Sequence, residues 1–286
     1  MLQVLNLSAE YSNKCPVYGN IVSLDGLRFA ARANGYTNFL DLSTRDTSFQ
    51  LQGTASLVPA GVVTDGKKND VMTNYPEQDD SYSILSCFKI DVGGRAGESE
   101  LNKYRAYVGG SYGGSGAAGG GVGIYVLSVV DTVDPSKYKI VARHVGLVKR
   151  KTDGGMETNY VDCDLIAPVS VLPATTGWVY IVVTFDAVTG RTSVELLDRA
   201  KAASVTRNPS THLLDSVSRG QYLTATGERL MHHIGGLPGP DALAAANVVS
   251  LPEYMFYGRA LSDTEKALQY SASKRFLSAA RGIVLP

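Results

Sequence analysis

The stretch that most constrains the fold is residues 178–185. In an extended chain Val179, Ile181, Val183 and Phe185 share one face, and Trp178, Tyr180, Val182 and Thr184 the other. Both faces are largely apolar, as a central strand requires. The segment Asp186-Ala187-Val188-Thr189-Gly190 follows at once, with an Asp to open a turn and a Gly for positive φ. It leads into a second strand-like run at 192–197, so a hairpin is expected here.

Further runs with strand character lie at 84–90, 105–108, 122–130, 138–148 and 248–257, most of them alternating at period two and bounded by Gly, Asn, Asp or Pro. Strands and turns without intervening helical periodicity predict an all-β sandwich or barrel, not an α/β sheet. An apolar fraction of 44% with 19% charged residues supplies a core of that size. At 286 residues one domain suffices: we expect an N-terminal arm at 1–20 and a single sandwich domain over 21–286. One helix is legible near the C-terminus. Ser262-Asp263-Thr264-Glu265 is a capping box, and Leu268, Ala272, Phe276 and Ala279 form an apolar stripe, with Lys266, Ser273 and Lys274 directed elsewhere. Gly282 is placed to end it.

Several functions are disfavoured. A formal net charge of zero argues against a nucleic-acid partner, and the one basic cluster, Lys149-Arg150-Lys151, reads as a solvated strand end. No run approaches the ~20 apolar residues of a membrane span. Without a basic, apolar leader at its start, the chain is expected to fold in a reducing cytoplasm. Cys15, Cys87 and Cys163 are odd in number and widely spaced, which predicts free thiols and no zinc site. The glycine-rich segment 109–123 lacks the Lys-Ser/Thr ending of a phosphate loop and reads as a connection between strands. Its Gly113-Gly114-Ser115-Gly116 lacks the strand-turn-helix setting of a hydrolase elbow. Adjacent His232 and His233 point to opposite faces of a strand and cannot pair on a metal. Asp79, Asp80, Asp131 and Asp134 occupy turns but lack the ligand density of a calcium loop, so no metal and no cofactor are expected.

A run of features in the last third carries a family likeness. Trp178-Val179-Tyr180-Ile181-Val182-Val183-Thr184-Phe185-Asp186 is followed by His233-Ile234-Gly235-Gly236, and then by Glu253-Tyr254-Met255-Phe256-Tyr257-Gly258-Arg259-Ala260-Leu261-Ser262-Asp263-Thr264-Glu265. This order resembles the laminin G-like, concanavalin A-like superfamily, with a Trp opening a strand that ends in Phe-Asp, an Ile-Gly-Gly strand, and a final strand running into an Arg-x-Leu-Ser-x-x-Glu helix start. Upstream, residues 82–91 resemble that family's early core strand, and 121–130 the strand after its variable loop. Two features depart from it: Leu197-Asp198-Arg199 stands where Asp-Gly or Asn-Gly is usual, and the stretch 201–229 is long. The resemblance implies a jelly roll of two stacked antiparallel sheets with a short C-terminal helix.

That fold serves lectins, adhesion modules and polysaccharide-cleaving enzymes alike. No paired-carboxylate array of a glycosidase stands in the sequence. Asp162 and Asp164 have alternate spacing and Tyr160 precedes them, so all three project to one side; this is either a polar strand edge or a contact for a sugar or cation. Tyrosines suit sugar stacking, and Tyr112 and Tyr160, with Asp162 and Asp164, are the candidate ligand-binding residues. An adhesion-type fold without a visible leader or catalytic array leads to the expectation of a bacteriophage tail-fibre protein. Such a protein would be made in the host cytoplasm, carried in the virion and released by lysis. It would recognise a bacterial surface polysaccharide or receptor and assemble as a homo-oligomer, by analogy a trimer. The alternatives are a depolymerase of the same fold and a purely structural virion component.

Overall fold

The structure, a computed structural model, describes residues 21–34, 38–41, 43, 47–58, 60–65, 69–76, 78–92, 97–111, 121–219, 231–236 and 247–286. The expected arm at 1–20 and Cys15 lie outside the described residues. In chain order the strands are β1 (Leu27–Asn34), β2 (Asn38–Asp41), β3 (Phe49–Leu51), β4 (Ser56–Val58), β5 (Gly61–Thr64), β6 (Val71–Pro76), β7 (Tyr82–Asp91), β8 (Arg105–Gly110) and β9 (Val122–Val130). They continue with β10 (Tyr138–Arg150), β11 (Met156–Val169), β12 (Thr175–Asp186), β13 (Arg191–Leu196), β14 (Lys201–Thr206), β15 (His212–Leu213), β16 (Met231–Ile234) and β17 (Val248–Tyr257). Two helices, α1 (Ser216–Arg219) and α2 (Asp263–Arg281), are interspersed.

The strands form two antiparallel sheets packed face to face. The first runs β14-β13-β12-β7-β17-β1-β2, with β5 on β17 and β4 on β5; the second runs β11-β10-β9-β8-β16-β6-β3, with β15 on β10. The main core lies between them, where Phe88, Val179, Ile181, Val183 and Phe185 of the first sheet and Ile124, Ile140, Val148 and Val161 of the second are buried together. A full side chain of this kind contributes about 1.5–3 kcal/mol on burial. Residues 178–185 are apolar on both faces because each face is covered. The odd-numbered residues face the second sheet, while Tyr180 and Val182 lie under α2 with Leu85, Met255, Phe276 and Leu277.

Helix α2 begins as its capping box predicts. Ser262 accepts the N–H of Glu265, Glu265 accepts the N–H of Ser262, and Gly282 closes the helix in the left-handed region at φ 63°. Its buried face differs from the expected stripe. Ala272 and Phe276 point inward, but they are joined by Lys266, Gln269, Ser273 and Leu277, while Leu268 and Ala279 face solvent. The cause is polar chemistry beneath the helix. Tyr180, Glu195 and Glu253 lie on the covered sheet, and Ser273 and Lys266 reach in to bond Tyr180 and Glu195.

The long stretch after β13 is partly accounted for by edge strand β14, the two-residue β15 and α1. Among the described residues no helix is long and apolar enough to cross a membrane.

Candidate functional site

Tyr112 lies outside the described residues. Tyr160, Asp162 and Asp164 lie on one outer face of edge strand β11, as their alternate spacing requires. The neighbouring strand supplies their counter-charges. Arg143, directly opposite Asp162, holds it by two bonds of 2.6 and 2.7 Å, and Lys139 reaches Asp164 at 2.9 Å. The bond to Asp162 is also the chief reason that the Arg143 guanidinium is held above its ordinary pKa. Arg143 lies over the Tyr160 ring, 5.0 Å from its centroid. With 51% of the residue still exposed, Tyr160 keeps ring surface open to solvent. A row of side chains thus crosses the sheet from Asp162 through Arg143 and Tyr125 to Tyr107. The two carboxylates are matched by cations, and the open element of this face is the tyrosine.

The other acidic candidates serve the fold. Asp131 accepts the N–H groups of Val133 and Asp134, and Asp134 accepts Ser136 within the same turn. Asp79, largely buried, accepts Arg28 and the hydroxyl of Tyr75, and Asp80 accepts the N–H of Ser216 at the start of α1. His232 and His233 do face opposite ways. His232 is buried against Phe29 and Phe256 and bonds Tyr254 at 2.6 Å, whereas His233 bonds Asp70 at 2.8 Å.

A concave site appears elsewhere, on the outer face of the first sheet beside the start of α2. The β12–β13 hairpin places Asp186 opposite Arg191 and Thr184 opposite Ser193, and β14 adds Thr206 beside Arg191. Gly190 makes this hairpin tight: at φ 71°, a Cβ there would fall 1.8 Å from the Arg207 carbonyl oxygen. The strand faces alternate, so Thr192, Val194 and Leu196 are directed into the sandwich while Arg191, Ser193 and Glu195 line the outside. Against this face stand Ala260, Leu261, Asp263 and Lys266, enclosing a cleft of about 310 Å³.

Its wall is dense in hydroxyls, from Thr184, Thr189, Ser193 and Thr206. Several are already oriented. The Thr189 hydroxyl donates to Asp186 at 2.7 Å and accepts the backbone N–H of Arg191 at 3.4 Å, and that of Ser193 donates to Glu195 at 3.0 Å, so each oxygen keeps acceptor capacity for a ligand. Lys266 bridges the helix to the sheet, with its ammonium 2.5 Å from Glu195 and 2.7 Å from Asp263. Its bond to Asp263 holds that carboxyl below its ordinary pKa. The lining thus offers fixed donors and acceptors.

None of these cleft residues was among the sequence candidates. The available signal was the polar alternation of Arg191, Ser193 and Glu195 on one face of a strand whose other face is Thr192, Val194 and Leu196.

No family model and no curated protein sequence matches the chain. Among solved structures it is similar to the botulinum neurotoxin type G receptor-binding domain, at 11% identity and a TM-score of 0.50, covering 88% of this chain and 52% of that one. It is also similar to the botulinum neurotoxin serotype D binding domain, at 8% identity and a TM-score of 0.49, covering 89% and 52% of the two chains. A third match is the Trypanosoma rangeli sialidase, at 14% identity and a TM-score of 0.47, covering 87% and 33%. The chain therefore spans about half the length of the toxin domains that it matches. The type G likeness agrees with the β-sandwich architecture and speaks to fold alone.

Proposed function

We propose that the chain is a non-catalytic glycan-recognition module. The observation that carries this reading is the cleft beside α2, where four hydroxyls, two carboxylates and two cations converge on about 310 Å³ of concave surface. That volume lies at the small end of ligand pockets and suits one or two sugar rings. Sugar hydroxyls both donate and accept, so a wall that mixes oriented hydroxyl oxygens with carboxylates and cations offers each of them a partner. Tyr160, on the opposite face of the sandwich, is proposed as a separate stacking contact for the same polymer, because no single ring reaches both. The type G toxin domain of like architecture is described as receptor-binding, which accords with recognition. The setting we propose is a bacteriophage tail fibre, assembled as a trimer and facing a bacterial surface polysaccharide. It is supported by the adhesion-type fold.

The test is adsorption of the purified protein to surface polysaccharides from a panel of bacterial strains, with new reducing and unsaturated ends measured in the same samples. Adsorption without new ends is expected, and it should be lost when Thr206→Trp fills the cleft from the exposed edge strand. Release of new ends would make the protein a depolymerase. Absence of adsorption across the panel would leave a structural role in the virion.

A further inference from the structure

Resting on the glycan reading, we infer that the cleft selects an acidic sugar, with Arg191 as the group that holds the sugar's carboxylate. The basis is the disposition of charges around the cleft. Asp186 lies directly across the hairpin from Arg191, yet its oxygens are directed into its own turn and not to the guanidinium: one accepts the N–H of Val188 at 2.9 Å and the other the hydroxyl of Thr189 at 2.7 Å. Lys266 is held between Glu195 and Asp263. Arg191, exposed to solvent, is the lining cation whose side chain makes no direct hydrogen bond, ion pair or ring contact among the described residues, although its charge is felt by Asp263 across the cleft.

A guanidinium presents a planar fork of N–H donors whose geometry matches the two oxygens of a carboxylate. Around it the oxygens of Thr189 and Ser193, with their own protons directed at Asp186 and Glu195, are poised to accept hydroxyl protons from a sugar ring. A carboxylate beside ring hydroxyls is the chemistry of uronic and ulosonic acids. A neutral sugar would satisfy the hydroxyl wall and leave the fork unused.

The experiment uses bacterial capsular polysaccharides that contain uronic or ulosonic acid residues. Each is presented as the native polymer and as its carboxyl-reduced form, made by carbodiimide activation and borohydride reduction. Affinities are measured for the intact protein, Arg191→Gln and Arg191→Lys, with circular dichroism to check that each is folded. The expected result is that a native polymer binds roughly tenfold or more tightly than its reduced form, as loss of a charge-assisted bond implies. Arg191→Gln should abolish that preference, Arg191→Lys should keep part of it, and added salt should shrink it. Equal binding of native and reduced forms would overturn the inference while leaving glycan recognition standing. So would an acid preference that survives in Arg191→Gln. Failure of every polymer, native, reduced or neutral, to bind would overturn both.

Discussion

Arg32 and Glu253 form an ion pair with neither side chain exposed. Nε and Nη2 of the arginine lie 2.6 and 2.5 Å from the same carboxylate oxygen. The pair joins β1 to β17, and the guanidinium also stacks on the Phe276 ring of α2, 4.2 Å from its centroid. Replacing one partner strands the other as a buried charge. Glu253→Gln is therefore expected to cost about 3–5 kcal/mol, whereas the apolar double variant Arg32→Met with Glu253→Leu should recover most of that loss. Urea denaturation of the three proteins checks this, and a single variant within about 1 kcal/mol of the parent would count against the pair's isolation from water.

The cap of α2 gives a second expectation. Ser262→Ala should lower stability by about 1 kcal/mol through loss of the bond to the Glu265 N–H. Glu265 itself is pulled down to about 2, chiefly by its bond to Arg259; burial opposes this, and the cap bonds to Ser262 add to the lowering. A carboxylate depressed in the folded state adds stability that is present above its unfolded value near 4.3 and is lost as pH falls through about 2. The difference in melting temperature between the parent and Glu265→Gln should accordingly narrow between pH 5 and pH 2. A gap that stays constant over that range would contradict the ionic part of the cap.

Acid sensitivity should also arise at His232. Its burial, with a smaller effect from neighbouring His233, pushes its pKa down to about 3. The unfolded chain takes up that proton near 6.5, so stability from this group is full above 6.5 and falls progressively towards pH 3. In histidine-detected NMR spectra the His232 signal should stay that of neutral imidazole down to pH 4. A midpoint above 5.5 would show that the ring is wetter than its surroundings indicate.

Cys87 and Cys163 are free and buried. Burial raises both thiols, Cys163 to about 11, and Glu253 adds to the effect on Cys87 while Asp164 adds to that on Cys163. Iodoacetamide at pH 8 should leave both unmodified in the native protein and label both in urea, as read by peptide mass spectrometry. Native labelling at either position would mean that the sandwich opens locally at β7 or β11.

Much of the fold was legible because period two is a local signal. Strands β9 and β17 have the bounds expected from the sequence, and β7, β10 and β12 extend them by a few residues. Three-residue strands such as β3 and β4 are too short to show a period, and they are strands only through pairing, β3 with the more distant β6 and β4 with the adjacent β5. The face of α2 was misjudged for a related reason. Helical spacing favoured Leu268 and Ala279, but the true inward phase follows Glu253, Glu195 and Tyr180, which no helix-local pattern reveals. The common side of Tyr160, Asp162 and Asp164 could be read from their spacing, whereas their partners Arg143 and Lys139 depend on the β10–β11 register. The cleft was hidden most completely, since its walls come from three strands and a helix start separated by up to eighty-two residues, from Thr184 to Lys266.

The ion pairs along β11 have a consequence for solubility. Strands β11 and β14 end their sheets, so each has one side without a hydrogen-bonded strand among the described residues, although side chains of β11 reach across to the β13–β14 edge. Such borders invite a foreign strand to add, and a flat apolar border would seed fibrils. On β11 the paired charges Arg143–Asp162 and Lys139–Asp164 occupy alternate positions beside that border. A strand docking alongside would have to strip water from those charges or disturb their pairing, which makes growth by that route unfavourable. Neutralising this row with Asp162→Val and Asp164→Val would turn a solvated margin into a sticky one, with the folded core left intact.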